Sequence, residues 1–138
     1  MIQINNLTPV KISEGKFKKI VKFILRKEKR DPKSEISIAI VNNQKIRSLN
    51  KKYRNKDKAT DVLSFTYSQS KNNLSGEIII CPQIIKKNLK DLGENFQKEL
   101  EKVLIHGTLH VLGYDHEKSI REKKIMKKSE EIYLKIKI

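Results

Sequence analysis

The stretch around which this chain is organised reads HGTLHVLGYDH, from His106 to His116, and it contains all three histidines of the protein. His106 and His110 are four residues apart, so on a helix they lie one turn apart on the same face. Gly113 is the residue type that most readily adopts the left-handed conformation in which helices end. A turn there would bring His116 back toward the other two imidazoles. The spacing therefore predicts a metal site with His106, His110 and His116 as ligands.

The number of ligands indicates the kind of metal site. Three protein ligands leave the fourth tetrahedral position of zinc open to water, as in catalytic sites, whereas structural zinc sites are usually closed by four ligands rich in cysteine. The chain has a single cysteine, Cys81. We therefore expect one divalent metal ion, zinc, as the cofactor, and no small-molecule cofactor. The alternative is that these are ordinary polar or half-buried histidines, which would leave their clustering unexplained.

Outward from this stretch, four segments have the composition of strands, most of them with apolar residues at every second position. They are Ile2–Ile4, Glu35–Val41, Val62–Phe65 and Gly76–Cys81. The continuous run Ile78-Ile79-Ile80 predicts that the last of these is buried on both faces and central in the sheet. The polar run from Ser68 to Ser75 is predicted to be a loop.

Five helices are predicted because apolar residues repeat at intervals of three and four. The fourth carries the histidines and has Gly107 on it, where another backbone or a substrate can approach closely. The apolar stripes and boundaries, in chain order, are Phe17, Ile20, Val21, Ile24 and Leu25 after a cap at Ser13; Ile46, Leu49 and Tyr53 after a cap at Asn42; Ile84, Ile85, Leu89 and Leu92 between Pro82 and Gly93; Phe96, Leu100, Val103, Leu104 and Val111; and Ile125, Ile132 and Tyr133 within Ile120–Ile138.

Together these elements predict one α+β domain over residues 1–138, a small mixed sheet of about four strands packed with about five helices. A single cysteine, no apolar run long enough to cross a bilayer and no signal peptide point to a soluble, cytoplasmic protein with no membrane partner. The formal net charge of +15, from 31 Lys and Arg against 16 Asp and Glu, favours polyanionic partners such as RNA or DNA. A general lysine bias that only improves solubility is the alternative.

A second functional stretch, LNKKYRNKDKATDVLSF from Leu49 to Phe65, places five cations in a helix end and loop before a strand. They are Lys51, Lys52, Arg54, Lys56 and Lys58. Arg54 is singled out because a guanidinium offers a fixed fork of donors to phosphate oxygens, whereas lysine acts more as a point charge. The alternative is a solvated turn whose charge is partly balanced by Asp57 and Asp61.

In this order, the cationic stretch, the strand at Gly76-Glu77-Ile78 and HGTLHVLGYDH resemble the YbeY family of metal-dependent endoribonucleases. The resemblance runs from about Leu49 to His116. It implies cleavage of single-stranded RNA in rRNA maturation and ribosome quality control, a zinc-type ion on the three histidines and a functional role for Arg54. Departures from the family pattern at Ala59, Thr66 and Glu77 affect loop conformation rather than proposed ligands.

Roles for the remaining polar residues follow as hypotheses. A bound ion would activate water or a 2′-hydroxyl, while Arg54 would stabilise charge growing on phosphorus. Asp115 would orient a ligand or the attacking water, or only fix the turn beside Gly113. The four lysines at 51, 52, 56 and 58 would contact phosphates of RNA, the expected partner being rRNA within ribosomal particles and the protein itself a monomer. With few aromatic residues and no tryptophan, shape and charge are expected to dominate recognition.

Two other functions compete with RNA cleavage. The histidine spacing equals that of zincin metalloproteases, but the residue after the first histidine is Gly107, where those enzymes need a glutamate as general base. A non-catalytic, basic RNA- or ribosome-binding protein with a structural metal is the other alternative. Three ligands rather than four weigh against it, although a partner could supply the fourth.

Overall fold

The architecture comes from a computed structural model that describes residues 1–70, 73–89, 95–114 and 120–135, with only the backbone described for 120–122. Within these ranges the chain forms four strands and five helices, which confirms the predicted α+β class. In chain order they are β1 (Ile2–Asn6), α1 (Glu14–Lys27), β2 (Glu35–Ile40), α2 (Asn43–Arg54), β3 (Val62–Ser70), β4 (Asn73–Ile80), α3 (Pro82–Asn88), α4 (Phe96–Val111) and α5 (Ile120–Lys135). No helix in the described ranges is long and apolar enough to span a membrane.

The four strands form one mixed sheet in the order β1-β2-β4-β3. β1, β2 and β4 run parallel, and β3 pairs antiparallel with β4. The predicted central position of the Ile78-Ile79-Ile80 strand is confirmed, since β4 has a neighbour on each side. β3 is an edge strand, and its outer side borders the cleft described below.

The core lies on both faces of this sheet. Ile78 belongs to the larger buried cluster, to which α1, α4 and α5 contribute, whereas Ile79 belongs to a smaller cluster with Ile46 of α2. Successive side chains of a strand point to opposite faces, so the two clusters lie on opposite sides of β4. The predicted apolar stripe of α1 is confirmed, because all five of its residues are buried.

The predicted loop from Ser68 to Ser75 was largely wrong. β3 continues to Ser70 and β4 starts at Asn73, with Gln69 opposite Leu74. Although this stretch is polar, it forms strands because backbone hydrogen bonds between β3 and β4 stabilise it. Leu74, which is buried, is its one strong apolar anchor.

Three side chains also lie where the helical periodicity did not place them. Tyr53 is 58% exposed instead of packed, and Ile125 and Ile132 of α5 are exposed. Of the predicted α5 stripe only Tyr133 is buried as expected, and it is joined by Met126, two turns away on the same face. The helix is thus rotated by about one residue from the predicted orientation.

The predicted helix boundaries agree with the structure in most details. The Asn42 side chain caps α2 by accepting from Lys45 N, and Pro82 occupies the first turn of α3. Ser13 is at the cap position of α1 but makes no capping hydrogen bond with its side chain. α3 ends at Asn88, and Gly93, its predicted end, lies outside the described residues.

Candidate active site

α4, which carries the first two histidines, is buried along much of its length. Asn95 starts it by accepting hydrogen bonds from Gln97 N and Lys98 N. Leu100, Leu104 and Leu109 are fully buried. A helix packed in this way has little freedom to shift, so the separation of side chains on its outer face is fixed.

At Gly107 the backbone of α4 lies close to the sheet. A β-carbon added there would lie 2.8 Å from Ile78 Cγ2 and 3.2 Å from Ser64 Oγ. The expectation of a close approach at this glycine is confirmed, and the approaching group is the sheet. A larger residue there would require Ile78, Ser64 or α4 itself to shift.

Side chains of β3 hold the C-terminal half of α4 in place. The hydroxyls of Ser64 and Thr66 donate to the carbonyls of Gly107 and Val111, each at 3.0 Å. The Gln69 amide donates to the carbonyl of Leu112 at 2.6 Å. The bonds to Val111 and Leu112 satisfy carbonyls that a helix end leaves without intrahelical partners. Sequence reasoning missed all three β3 residues, because nothing in a polar strand shows which helix it will face.

Beyond these carbonyls the chain turns as predicted. Arg30 also donates to the Leu112 carbonyl, at 3.1 Å, and Gly113 has the left-handed φ of +105°. Tyr114 N then donates to the carbonyl of Leu109 at 3.0 Å. The helix thus ends in a reversal, as its glycine indicated.

His106 and His110 lie together on the face of α4 that borders the cleft. Their ring centroids are 4.7 Å apart, and both rings are partly exposed. His106 Nδ1 donates to Glu130 Oε1 of α5 at 2.5 Å. The Glu130 side chain is only 13% exposed, so this is a shielded contact. Sequence reasoning also missed Glu130, since it is one of many charged residues on α5.

The donor set on α4 suits a divalent transition metal, because imidazole nitrogens one helical turn apart can reach the same ion. A carboxylate on Nδ1 of a histidine fixes the ring so that Nε2 is the ligand atom, as Glu130 does for His106. His116 and Asp115 lie outside the described residues. Within the described ranges no group of three or more potential ligands is found, so the three-histidine site stays a prediction.

The opposite side of the cleft is formed by the end of α2 and the residues after it. Arg54 Nη2 donates to the carbonyl of Ser64 at 2.7 Å, and its guanidinium lies 5.5 Å from the centre of the Phe65 ring. Asn55, with φ of 58°, ends the helix in the left-handed conformation. Arg54 is thus positioned over the outer edge of β3 while its side chain is still exposed.

The loop after Arg54 is held from below by Asn50, a buried polar residue that sequence reasoning did not identify. The side-chain amide of Asn50 donates to the carbonyl of Lys58 at 2.9 Å, and the backbone carbonyl of Asn50 accepts from Lys56 N at 3.3 Å. On the surface Arg47 pairs with Asp57 at 2.8 Å, and this hydrogen bond lowers the pKa of the Asp57 carboxyl. The loop backbone is therefore fixed, whereas the lysine side chains extend into solvent.

The two sides enclose an open cleft of about 720 Å³ whose floor is β3 from Val62 to Tyr67. Of the predicted site residues, it brings together Arg54, Lys56, Lys58, His106 and His110. Lys51 and Lys52 are exposed on α2 but do not belong to the lining. The cleft also contains the acidic side chain of Asp61, which the sequence had suggested only as a balancing charge.

Fold and site together define a basic α+β protein in which an imidazole pair on a buried helix shares a cleft with an arginine and lysines. A family model described as Endoribonuclease YbeY matches residues 3–137. The chain therefore belongs to the endoribonuclease YbeY family, which confirms the resemblance seen in the sequence.

Individual relatives agree with this assignment. Endoribonuclease YbeY of Staphylococcus carnosus is 37% identical over 114 residues, which cover 77% of this chain and 74% of that protein. The protein of the same name from Thermotoga neapolitana is 37% identical over 128 residues, covering 89% and 84%. A solution structure of a Thermotoga maritima protein superposes with a TM-score of 0.63 at 31% identity, covering 97% of this chain and 87% of that one.

Proposed function

We propose that this protein is a metal-dependent endoribonuclease that cleaves single-stranded RNA in the cleft between α4 and the end of α2. One observation carries the proposal: His106 and His110 line the same cleft as Arg54, Lys56 and Lys58. The imidazoles provide ligands for an ion, and the cations suit the phosphates on either side of a scissile bond. Membership of the endoribonuclease YbeY family agrees with this chemistry.

The metal would be one divalent ion, zinc, held by His106, His110 and His116. The two described imidazoles fit it, because α4 fixes their separation and Glu130 fixes the orientation of the first ring. When bound, such an ion lowers the pKa of a coordinated water or polarises a phosphoryl oxygen.

The chain's own residues bind and orient the RNA. Arg54, anchored through Ser64 and Phe65, would direct its remaining donors to the phosphate and stabilise the charge that develops there. Lys56 and Lys58 would bind phosphates inside the cleft, and Lys51 and Lys52 would bind them where the strand leaves it. Asp115 remains a candidate for orienting a ligand or the attacking water.

In the cell we expect the protein to act as a cytoplasmic monomer on rRNA within ribosomal particles, in rRNA maturation and ribosome quality control. The net charge of +15 supports a large polyanionic substrate. Gly107 weighs against the protease alternative, because it has no carboxylate that could act as the general base. The following experiment distinguishes RNA cleavage from the non-catalytic RNA-binding alternative.

The test measures metal content and RNA cleavage on the same preparations. Wild type, His110→Ala and Lys102→Ala, whose lysine lies on the exposed face of the same helix, are analysed for bound zinc and incubated with a labelled single-stranded RNA. We expect wild type and Lys102→Ala to carry one zinc per chain and to cleave, and His110→Ala to lose both properties. Chelated wild type should also stop cleaving.

Each departure from this pattern has a definite meaning. Equal zinc in wild type and His110→Ala would remove His110 from the ligand set. Binding of RNA without cleavage by the zinc-loaded wild type would favour the non-catalytic alternative. Digestion of casein by the same sample would restore the protease alternative.

A further inference from the structure

The aromatic side chains of this protein are unevenly distributed between core and surface. All four Phe and four Tyr lie in the described ranges. Six of them are buried or half-buried, whereas Tyr53 and Tyr67 are 58% and 67% exposed. Single exposed aromatics are common on proteins, but here Tyr67 lines the cleft and Tyr53 packs against Phe65, which also lines it.

Contacts connect both tyrosines with the cationic side of the cleft. Tyr67 lines the cleft itself. The Tyr53 ring packs edge-on against Phe65 with centroids 5.6 Å apart, and the Arg54 guanidinium lies 5.5 Å from the centre of the Phe65 ring. Lys52 Nζ lies 5.2 Å from the Tyr53 ring. Cations therefore contact the Tyr53 and Phe65 rings. Tyr67 lies near the carboxylate of Glu77 and shares the cleft with Arg54, Lys56 and Lys58.

Tyr67 lies at a β-bulge. Thr66 pairs with Gly76 and Ser68 with Ser75, so Tyr67 is an extra residue with no partner on β4. The side chains of Thr66 and Gln69, three residues apart, both reach the end of α4, although in a regular strand residues on one face are separated by an even number. The bulge thus changes the face of the strand at Tyr67, and bulges near active sites commonly re-aim a side chain.

The cationic surroundings identify the kind of ligand that two such rings suit. Nucleobases stack on exposed aromatic faces without regard to sequence, while their phosphates pair with nearby cations. A base within a duplex is already stacked and paired, so its face is not available to a side chain. An aromatic surface beside a phosphate site therefore favours unpaired over paired strands.

We propose that Tyr67, with Tyr53 beside it, forms a stacking subsite for an unpaired base of the RNA strand whose phosphates lie against Arg54 and Lys56. This inference rests on the proposed function, because it assumes that RNA enters this cleft. The stacking subsite would bind the base, in addition to the charged side chains that bind phosphates. It also assigns the preference for single-stranded RNA to named side chains.

The experiment measures binding alone, with the full chain in EDTA so that metal-dependent cleavage cannot occur. Affinities are compared for a labelled single-stranded RNA, for a strand of the same length with abasic sites and for the duplex. The variants are Tyr67→Ala, Tyr67→Phe and Lys58→Ala, with Ile132→Ala as a control for an exposed apolar residue on α5, 51% exposed.

We expect Tyr67→Ala to weaken binding of the intact single strand by roughly tenfold, since stacking of one base contributes about that much. The same variant should bind the abasic strand and the duplex as wild type does. Tyr67→Phe and Ile132→Ala should leave all three affinities unchanged. Lys58→Ala should weaken all three, because every ligand retains its phosphates.

Several outcomes would overturn the stacking subsite. They are an unchanged affinity of Tyr67→Ala for the intact strand, an equal loss on the abasic strand, or a loss in Tyr67→Phe as large as in Tyr67→Ala, which would assign the contact to the hydroxyl. None of these depends on catalysis. A protein that binds RNA in this way but never cleaves it would contradict the proposed nuclease and leave the subsite intact.

Discussion

The two sides of the cleft are built by opposite means. On the α4 side, the histidines stand on a helix with a fully buried core face, and three β3 side chains hold its end. On the other side, the cationic residues from Arg54 to Lys58 are all exposed, and their loop is held by hydrogen bonds between Asn50 and its backbone and by the surface pair of Arg47 with Asp57. The histidine side chains on α4 are therefore held in position before a ligand binds, whereas the exposed cationic side chains can change conformation when one binds.

This difference matches what each side is proposed to bind. A metal ion requires ligands positioned within a fraction of an ångström before it arrives, so rigidity contributes directly to affinity. A single-stranded polyanion has variable geometry, and flexible lysines can follow its phosphates. Arg54 is intermediate, because its guanidinium is anchored at Ser64 and Phe65 although it lies on the exposed side.

The strongest test of this comparison is at Arg54. Arg54→Ala should lower the kcat for RNA cleavage by about 10²- to 10³-fold, the usual cost of losing one preorganised donor to a developing charge. Arg47→Ala is the matched control, since Arg47 is on the same helix but pairs with Asp57 at the surface. Single-turnover cleavage assays measure both. If the two variants lost equal activity, Arg54 would be only one more adaptable cation.

A smaller effect is expected at the carboxylate behind His106. Glu130→Gln should weaken zinc binding by about 10- to 100-fold, because the ring loses the partner that orients it and increases its basicity. Glu131→Gln, an exposed neighbour on α5, should bind zinc as wild type does. Competition with a chromophoric chelator gives both affinities. Equal affinities would mean that α4 alone fixes the ligand geometry.

The smallest effect is expected on stability, at the contact between α4 and the sheet. Gly107→Ala should lower the free energy of unfolding by about 1–3 kcal/mol, because the added methyl lies too close to Ile78 and Ser64. Gly15→Ala in α1 meets nothing within 4 Å and should be neutral or stabilising by up to about 1 kcal/mol. Urea unfolding compares them. Equal stabilities would show that α4 can shift without cost.

Much of the fold could be read from local patterns. The α1 stripe, the alternation in β2, the apolar run in β4 and the cap at Asn42 each follow from interactions between residues close in sequence. The continuation of β3 to Ser70 could not be read in this way. Its partner is the following strand, and a polar sequence gives no apolar period to reveal the pairing.

The orientation of α5 shows the same limit. Ile125 and Ile132 are seven residues apart, and so are Met126 and Tyr133, so both pairs fit a helix face equally well. The second pair is buried because it meets the core formed by α1 and α4, and Tyr133 also donates to Glu28 at 3.0 Å. Only the packed neighbours distinguish the two faces.

The sequence by itself determined the fold class, the helical spacing of His106 and His110 and the excess of positive charge, because composition and short periods express each of them. The resemblance of its two motifs to a known family indicated the family. Tertiary structure decided which elements face the site: β3 on the end of α4, Glu130 on His106, and Tyr67 of β3 in the cleft. These contacts join residues distant in the chain. Their geometry depends on how whole helices and strands pack, which no local pattern records.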